Sequence, residues 1–375
     1  MIRHPKRTLF FVMFFAACTF ICFRIQPSNS THNRQSRHVV EQNFMEITRF
    51  PTPKKSNESF GVRLPCHPLE NITKPYYLYI KDNMTGIDKT FFKLNDSKIT
   101  EIPMDFSTSG HHICSWTVPR IFFAVLSVAN ASASRLEIRE TWASEFYTES
   151  WRQLSQRRIA FFFGGAGLSS AQLRSLQDES ARFGDIVVGD FNDTYDNLSL
   201  KMAVVISWVA QYCPNIEAMV KIDMDTFVNV DALLHLLKEL PTDAHKNYVY
   251  GNRYNNDQAP VMRTGVWRVP KTIYPFEFFP QYVYGHSYVI SGSAVKLLAK
   301  SFPYFPIIPN EDAFVTGIMS LVLNITRLDK SAFADLTKED AVLTFDRGID
   351  VTVVMKKEKR EVVWSTLRRK KCKSV

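Results

Sequence analysis

Two carboxylates one residue apart, Asp223 and Asp225, stand where an apolar run ends (Ala218 to Asp223, AMVKID). Acidic side chains at the end of a buried strand cost free energy unless a cation or fixed donors compensate them. Hard oxygen ligands of this type, joined by phosphate oxygens, suit Mn²⁺ or Mg²⁺ in octahedral coordination. Such an ion neutralises the charge that builds on a departing nucleotide diphosphate. A surface turn is the plainer alternative for an Asp-x-Asp, and the position at a strand end is what favours the metal site. A second acidic pair, Glu311-Asp312, follows a proline-rich loop (FPYFPIIPN) and opens an apolar helical stretch from Ala313 to Leu323. Acids in a first helical turn are favoured by the dipole, and Asn310 suits a cap, so plain capping is one account. The chemical account is a catalytic base that takes the proton of an attacking hydroxyl. Spacing alone leaves both open.

These residues need a scaffold, and from Arg120 onward the pattern supplies one. Ile121–Val128 (IFFAVLSV) is a near-continuous apolar run, as a strand buried on both faces requires. A helix from Ser134 to Trp142 or beyond follows, with Glu137 in its first turn. Further strands are expected at Ile159–Gly164, Asp185–Phe191 and Ala218–Asp223, and helices at Ser170–Phe183, Asn197–Tyr212 and Asp231–Leu240. This rhythm means an α/β layer with a mainly parallel sheet, whose strands bind ligands at their carboxyl ends.

Five ordered blocks between about 120 and 325 resemble the inverting β-1,3-hexosyltransferases, which include β-1,3-galactosyltransferases and Fringe-like enzymes. They are RLEIRETW (135–142), DFNDTYDNLSLK (190–201), VKIDMDTFVNVDALL (220–234), VWRVPKTIYPFEFFPQYVYGHSYVIS (266–291) and EDAFVTGI (311–318). Together they are far more specific than any one motif. The resemblance implies a GT-A nucleotide-sugar fold, a UDP-sugar donor, Mn²⁺ as cofactor and inversion at the anomeric carbon. It puts Asp225 on the metal, Asp223 on the metal, its water or the ribose, and Asp312 in the role of base beside Glu311. Arg135, Arg139 and Lys201 fall in donor-side elements, where nucleotide or diphosphate contacts compete with ion pairs inside the α/β core. Trp267, Tyr284 and His286 fall near the sugars. UDP-galactose is the expected donor, with UDP-N-acetylglucosamine next, and the acceptor is a glycoprotein or glycolipid glycan. A catalytically silent binding or chaperone relative is the rival reading, disfavoured because both acidic pairs are present. Two cysteines common in the family are replaced by Val283 or Tyr284 and by Ile318 or Met319, and no histidine follows His286.

The rest of the chain sets the compartment. A run of apolar residues, Leu9–Phe23, is flanked by Arg3, Lys6, Arg7 and Arg24. It is short for a hydrocarbon core of about 30 Å, and a cleaved signal peptide is the alternative. Its Phe-Arg ending favours an uncleaved anchor, and the preceding positive charges place the body in the lumen. Sequons at Asn29, Asn57, Asn71, Asn83, Asn95, Asn130, Asn192, Asn197 and Asn324 agree with that side. The expected organisation is a cytoplasmic tail (1–8), an anchor (9–23), a luminal stem and accessory segment (24–117) and a catalytic domain (118–375), in a type II Golgi membrane protein. The net charge of +9 gathers near the two ends, which argues against nucleic acid. Of six cysteines, Cys66, Cys114, Cys213 and Cys372 lie beyond the apolar run, and two disulfides among them allow three pairings.

Overall fold

Two short strands from the stretch expected to be accessory, β1 (Leu78–Tyr79) and β2 (Phe106–Thr108), hydrogen-bond to opposite edges of a nine-stranded sheet. The computed structural model describes residues 78–80, 97–115, 119–147, 157–238, 240, 247–254, 258–334, 345, 350–355 and 359–365. All belong to one unit, Gly61–Val375. The expected tail, the anchor at 9–23 and most of the stem lie outside the described residues. No helix among the described residues is long and apolar enough to cross a membrane.

The predicted alternation forms the centre of the sheet. Strands β3 (Ile121–Leu126), β4 (Arg157–Gly164), β5 (Ile186–Gly189) and β6 (Ala218–Asp223) run parallel in the order β6-β3-β4-β5. Their connections carry α1 (Ser132–Glu140), α2 (Ser170–Phe183) and α3 (Leu198–Tyr212). Beyond β6 come β7 (Thr226–Val228), α4 (Val230–Lys238) and β8 (Tyr248–Arg253). Strands β9 (Ala259–Pro260) and β10 (Phe278–Phe279) pair at the base of a loop, and β11 (Val283–Ser291) leads into α5 (Gly292–Ser301). Strand β11 lies antiparallel between β6 and β8, and β12 (Thr326–Asp329) runs parallel to β8. The sheet is therefore mostly parallel: β12, β8, β6, β3, β4 and β5 share one direction, opposed by β1, β11 and β2. A separate sheet orders β13 (Phe333–Ala334), β14 (Thr352–Val354) and β7.

Side-chain alternation explains the uninterrupted apolar runs. Phe122, Ala124 and Leu126 join one buried cluster with Trp208 and Leu298, while Phe123 and Val125 join a second with Ile138 and Leu233. Phe122 meets Trp208 at 5.6 Å between centroids, and Phe123 meets Phe146 at 5.0 Å. Each buried phenylalanine contributes about 2 kcal/mol relative to exposure.

At the end of β3, polar anchoring sets the boundary. Strand β3 stops at Leu126 rather than Val128 because the next three residues turn aside to meet basic side chains. Lys201 donates to the Ser127 carbonyl (2.5 Å), and Arg135 to the Val128 and Ala129 carbonyls (2.6 and 3.2 Å). The expected helix at Ala313 is wound as a π-helix over Ala313–Met319. One disulfide is present among the described residues, Cys114–Cys213, joining the segment after β2 to the end of α3.

Candidate active site

The chemistry collects where β6 ends. Asp223 is its last residue, opposite Leu126 of β3, and Met224-Asp225 makes the turn into β7. Asp223 is partly exposed and Asp225 exposed. The C-terminal segment brackets this turn. Met355 N–H donates to the Asp225 carbonyl (3.4 Å), and Arg360 Nη1 donates to the Met224 carbonyl (3.3 Å). Arg360 Nε also lies 3.1 Å from Glu137 of α1.

The second acidic pair lies ahead of the π-helix between α5 and β12. Asp312 caps the π-helix, its Oδ1 accepting from Ala313 N–H (2.9 Å), while its backbone carbonyl accepts from the Thr316 hydroxyl (2.6 Å). The capping account is thus met, with Asn310 Oδ1 sharing the same Ala313 amide (3.2 Å). Its neighbour Glu311 is buried and accepts a hydrogen bond from the Tyr288 hydroxyl.

Lys221 binds the two pairs into one cluster. Its buried ammonium lies 2.7 Å from Asp223 Oδ1 and 3.5 Å from Glu311 Oε2, and donates to the Gly285 carbonyl. The strand register sets Lys221 directly opposite Tyr288, whose ring centroid is 5.6 Å from the ammonium. Asp223, Glu311 and Asp312 crowd around this one cation. Burial pushes the Asp223 carboxyl up to about 6, with Lys221 pulling the other way and Glu311 and Asp225 adding to the rise. Burial likewise raises Asp312 to about 6, against the amide of Ala313 and the charge of Lys221. Glu311 is raised mainly by burial, and Tyr288 is raised by burial and by Glu311. Burial alone would lower Lys221, but Asp223 and Glu311 overcome it and keep the ammonium charged. Clustered carboxylates shifted toward neutrality mark a site adapted to charge.

The three basic residues expected on the donor side hold the floor of this site. Arg135 is fully buried and gives its donors to Glu179 (2.8 and 2.7 Å), the Ser127 hydroxyl (3.1 Å) and the Val128 and Ala129 carbonyls. Arg139 forks onto Asp185 (2.8 and 2.7 Å) and reaches Glu179 (2.7 Å). Lys201 pairs with Asp193 (2.9 Å), which also accepts from Gly164 N–H (3.0 Å). Bidentate arginine–carboxylate pairs fix geometry as well as charge. The bonds of Arg135 and Lys201 pin the loop after β3, next to the strand that ends at Asp223.

Trp267 lies exposed on the loop between β9 and β10. Tyr284 and His286 lie on β11 within its register shift, with ring centroids 6.3 Å apart. Lys221 is the residue missed from the sequence, although a single charge inside AMVKID was its signal. Nothing local marked Tyr288 or Arg360, whose partners are distant in the chain.

Residues 133–331, more than half of the chain, match the family model described as galactosyltransferase. The chain belongs to that family, and is a nucleotide-sugar-dependent hexosyltransferase. It is 36% identical over 215 residues to human beta-1,3-galactosyltransferase 5, covering 56% of this chain and 66% of that protein. It is 26% identical over 283 residues to mouse beta-1,3-galactosyltransferase 1, covering 75% of this chain and 84% of that protein. Among solved structures, the galactosyltransferase LgtC, in complex with donor and acceptor sugar analogs, aligns over 65% of this chain and 95% of its own at 13% identity. Its TM-score of 0.33 is too low to bear on the reading.

Proposed function

We propose that this chain is a Golgi-membrane enzyme that moves galactose from UDP-galactose to a glycan hydroxyl in β-1,3 linkage, with inversion. The observation that carries the reading is the single carboxylate cluster in which Lys221 joins the Asp223 turn to the Glu311-Asp312 pair. The names of the two galactosyltransferase relatives support galactose as the sugar.

In this reading Asp312 takes the proton of the acceptor hydroxyl as that oxygen attacks the anomeric carbon and the bond to UDP breaks. Its raised carboxyl accepts a proton more readily than an ordinary aspartate. Glu311 is already engaged by Tyr288 and Lys221 and acts by holding its neighbour in place.

The donor set suits a hard divalent cation: carboxylate oxygens at a strand end, one of them raised by burial among other acids. Asp225 and Asp223 would hold Mn²⁺ or Mg²⁺. Among the described residues no cluster of three or more His, Cys, Asp or Glu is placed for a metal, so water and phosphate oxygens would complete the coordination. When bound, the ion offsets charge on the leaving diphosphate. Arg135 and Lys201 serve the donor indirectly, by fixing the loop 127–129, and Arg139 supports them by holding Glu179.

The test is the purified protein incubated with UDP-galactose, UDP-N-acetylglucosamine and other UDP-sugars, with and without Mn²⁺. Galactose transfer in β-1,3 linkage is expected. Transfer that survives Asp225→Ala contradicts the metal assignment, and transfer that survives Asp312→Ala removes that residue as base.

A further inference from the structure

Among the described residues the other large aromatic side chains are buried or partly buried, yet Tyr195 is 54% and Trp267 57% exposed. The two meet. Ser199, four residues beyond Tyr195, donates to the Ile308 carbonyl (2.7 Å), four residues ahead of Asp312, and Tyr195 with its neighbour Trp267 lies on that side, within electrostatic reach of Asp312 and Asp223. They come from different segments, the 3-10 turn Tyr195–Asn197 ahead of α3 and the loop between β9 and β10. A second tie joins the same segments, Arg268 to Asp196 at 3.7 Å. The loop is itself held open in shape: Arg263 donates to the Val269 and Tyr274 carbonyls (2.8 and 2.9 Å) and to that of Phe276. Gly265 at its tip has a φ of 81°, a conformation that leaves its neighbours Val266 and Trp267 projecting into solvent.

Folding gains little from two aromatics left in water, so their fixed, paired exposure beside the acidic cluster calls for a ligand. A rigid loop presenting aromatic anchors next to a base is how binding groups are placed on a scaffold. The C–H face of a pyranose is the apolar surface that fits an aromatic ring while its hydroxyls remain available for hydrogen bonds. Charge narrows the class: Asp312 and Asp223 both face Tyr195 against the one ammonium of Lys221, while Asp196 is offset by Arg268, so a sugar bearing a carboxylate or sulfate meets net repulsion.

We propose that Tyr195 and Trp267 form the acceptor platform, stacking on an uncharged terminal pyranose and presenting its hydroxyl to Asp312. This rests on the transferase reading of the site. The experiment measures donor and acceptor KM for the full-length protein, using p-nitrophenyl β-glycosides of N-acetylglucosamine, galactose and N-acetylgalactosamine as acceptors. Trp267→Ala and Tyr195→Ala are each expected to raise the acceptor KM about tenfold, the size of loss typical of a buried aromatic anchor, while donor KM moves far less. Trp267→Phe should recover most of the loss. Ile99→Ala, an exposed apolar residue elsewhere, should change neither constant.

Saturation-transfer NMR with the same glycosides separates failure of the platform from failure of the transferase reading. If the wild type turns over no donor but the sugar signal still depends on Trp267, the platform stands and the transferase reading falls. If KM and the NMR signal are unchanged in both alanine variants, the platform is wrong. Tighter binding of a sialylated or sulfated probe than of its neutral counterpart overturns the charge selectivity.

Discussion

The α-carbon of Gly285 lies against the carboxyl group of Asp312, so that a methyl built there would stand 3.1 Å from Oδ2 and 3.3 Å from Cγ. The glycine carbonyl is meanwhile held by Lys221, so the backbone cannot retreat without disturbing the cluster. Gly285→Ala therefore pushes the base aside by a few tenths of an ångström. The expected result is a fall in kcat of about tenfold with donor KM little changed, since sub-ångström misplacement of a reacting group is costly. Steady-state kinetics check this, with an unchanged circular dichroism spectrum as the sign of an intact fold.

A pH profile tests the base directly. Burial holds Asp312 up at about 6, and the base works only when ionised. Rate should thus rise through about pH 6 and level off above it, falling roughly tenfold per unit below. Asp312→Asn should cost about 100-fold or more and abolish that acid limb in whatever rate remains. An acid limb that survives the substitution belongs to another group.

The parts of this arrangement legible from the residues are those dictated by short-range pattern. Runs such as IFFAVL and AMVKID announce strands buried on both faces, and the Asp-x-Asp at the end of one is visible by position. Strands β8 and β11 escape because YVYGNR and VYGHSYVIS mix polar residues into the pattern where they run toward the site. Lys221 shows as a lone charge in an apolar strand, but its partner Glu311 is 90 positions away and no local rule joins them. The same holds for Arg135, whose carboxylate Glu179 lies 44 residues on: a guanidinium for nucleotide and one for a core ion pair look identical in sequence. Cysteine count likewise left three pairings open, and proximity in the fold selects Cys114 with Cys213.

The ion network under the site predicts a stability slope in acid. Burial pushes Glu179 upward, and hydrogen bonds from Arg135 and Arg139 overcome it, so its carboxyl is held below the ordinary glutamate value. A depressed folded value stabilises above the unfolded glutamate range and is lost as pH falls through the folded one. The wild type should lose stability below about pH 4.5, and Glu179→Gln should flatten that part of the curve. At neutral pH the same change strands the buried Arg135 guanidinium, while Arg139 keeps Asp185, and should cost about 3 kcal/mol by denaturant unfolding.

The short helix at 359–365 makes a separate, milder prediction about the Asp-Met-Asp turn. Arg360 holds the Met224 carbonyl at 3.3 Å while leaning on Glu137, and the neighbouring Trp364 ring lies 6.3 Å from Phe227 of β7. Removing the guanidinium loosens the turn without touching Asp312. Arg360→Ala should weaken Mn²⁺ binding and raise donor KM about fivefold, the worth of one hydrogen bond of about 1 kcal/mol. Acceptor KM should hardly move, because the segments that carry Tyr195 and Trp267 are tied through Asp196 and Arg268. Arg360→Lys should recover part of the loss, and metal titration by electron paramagnetic resonance reads the effect independently of turnover. Equal damage to donor and acceptor constants would mean that Arg360 supports the fold at large rather than the turn.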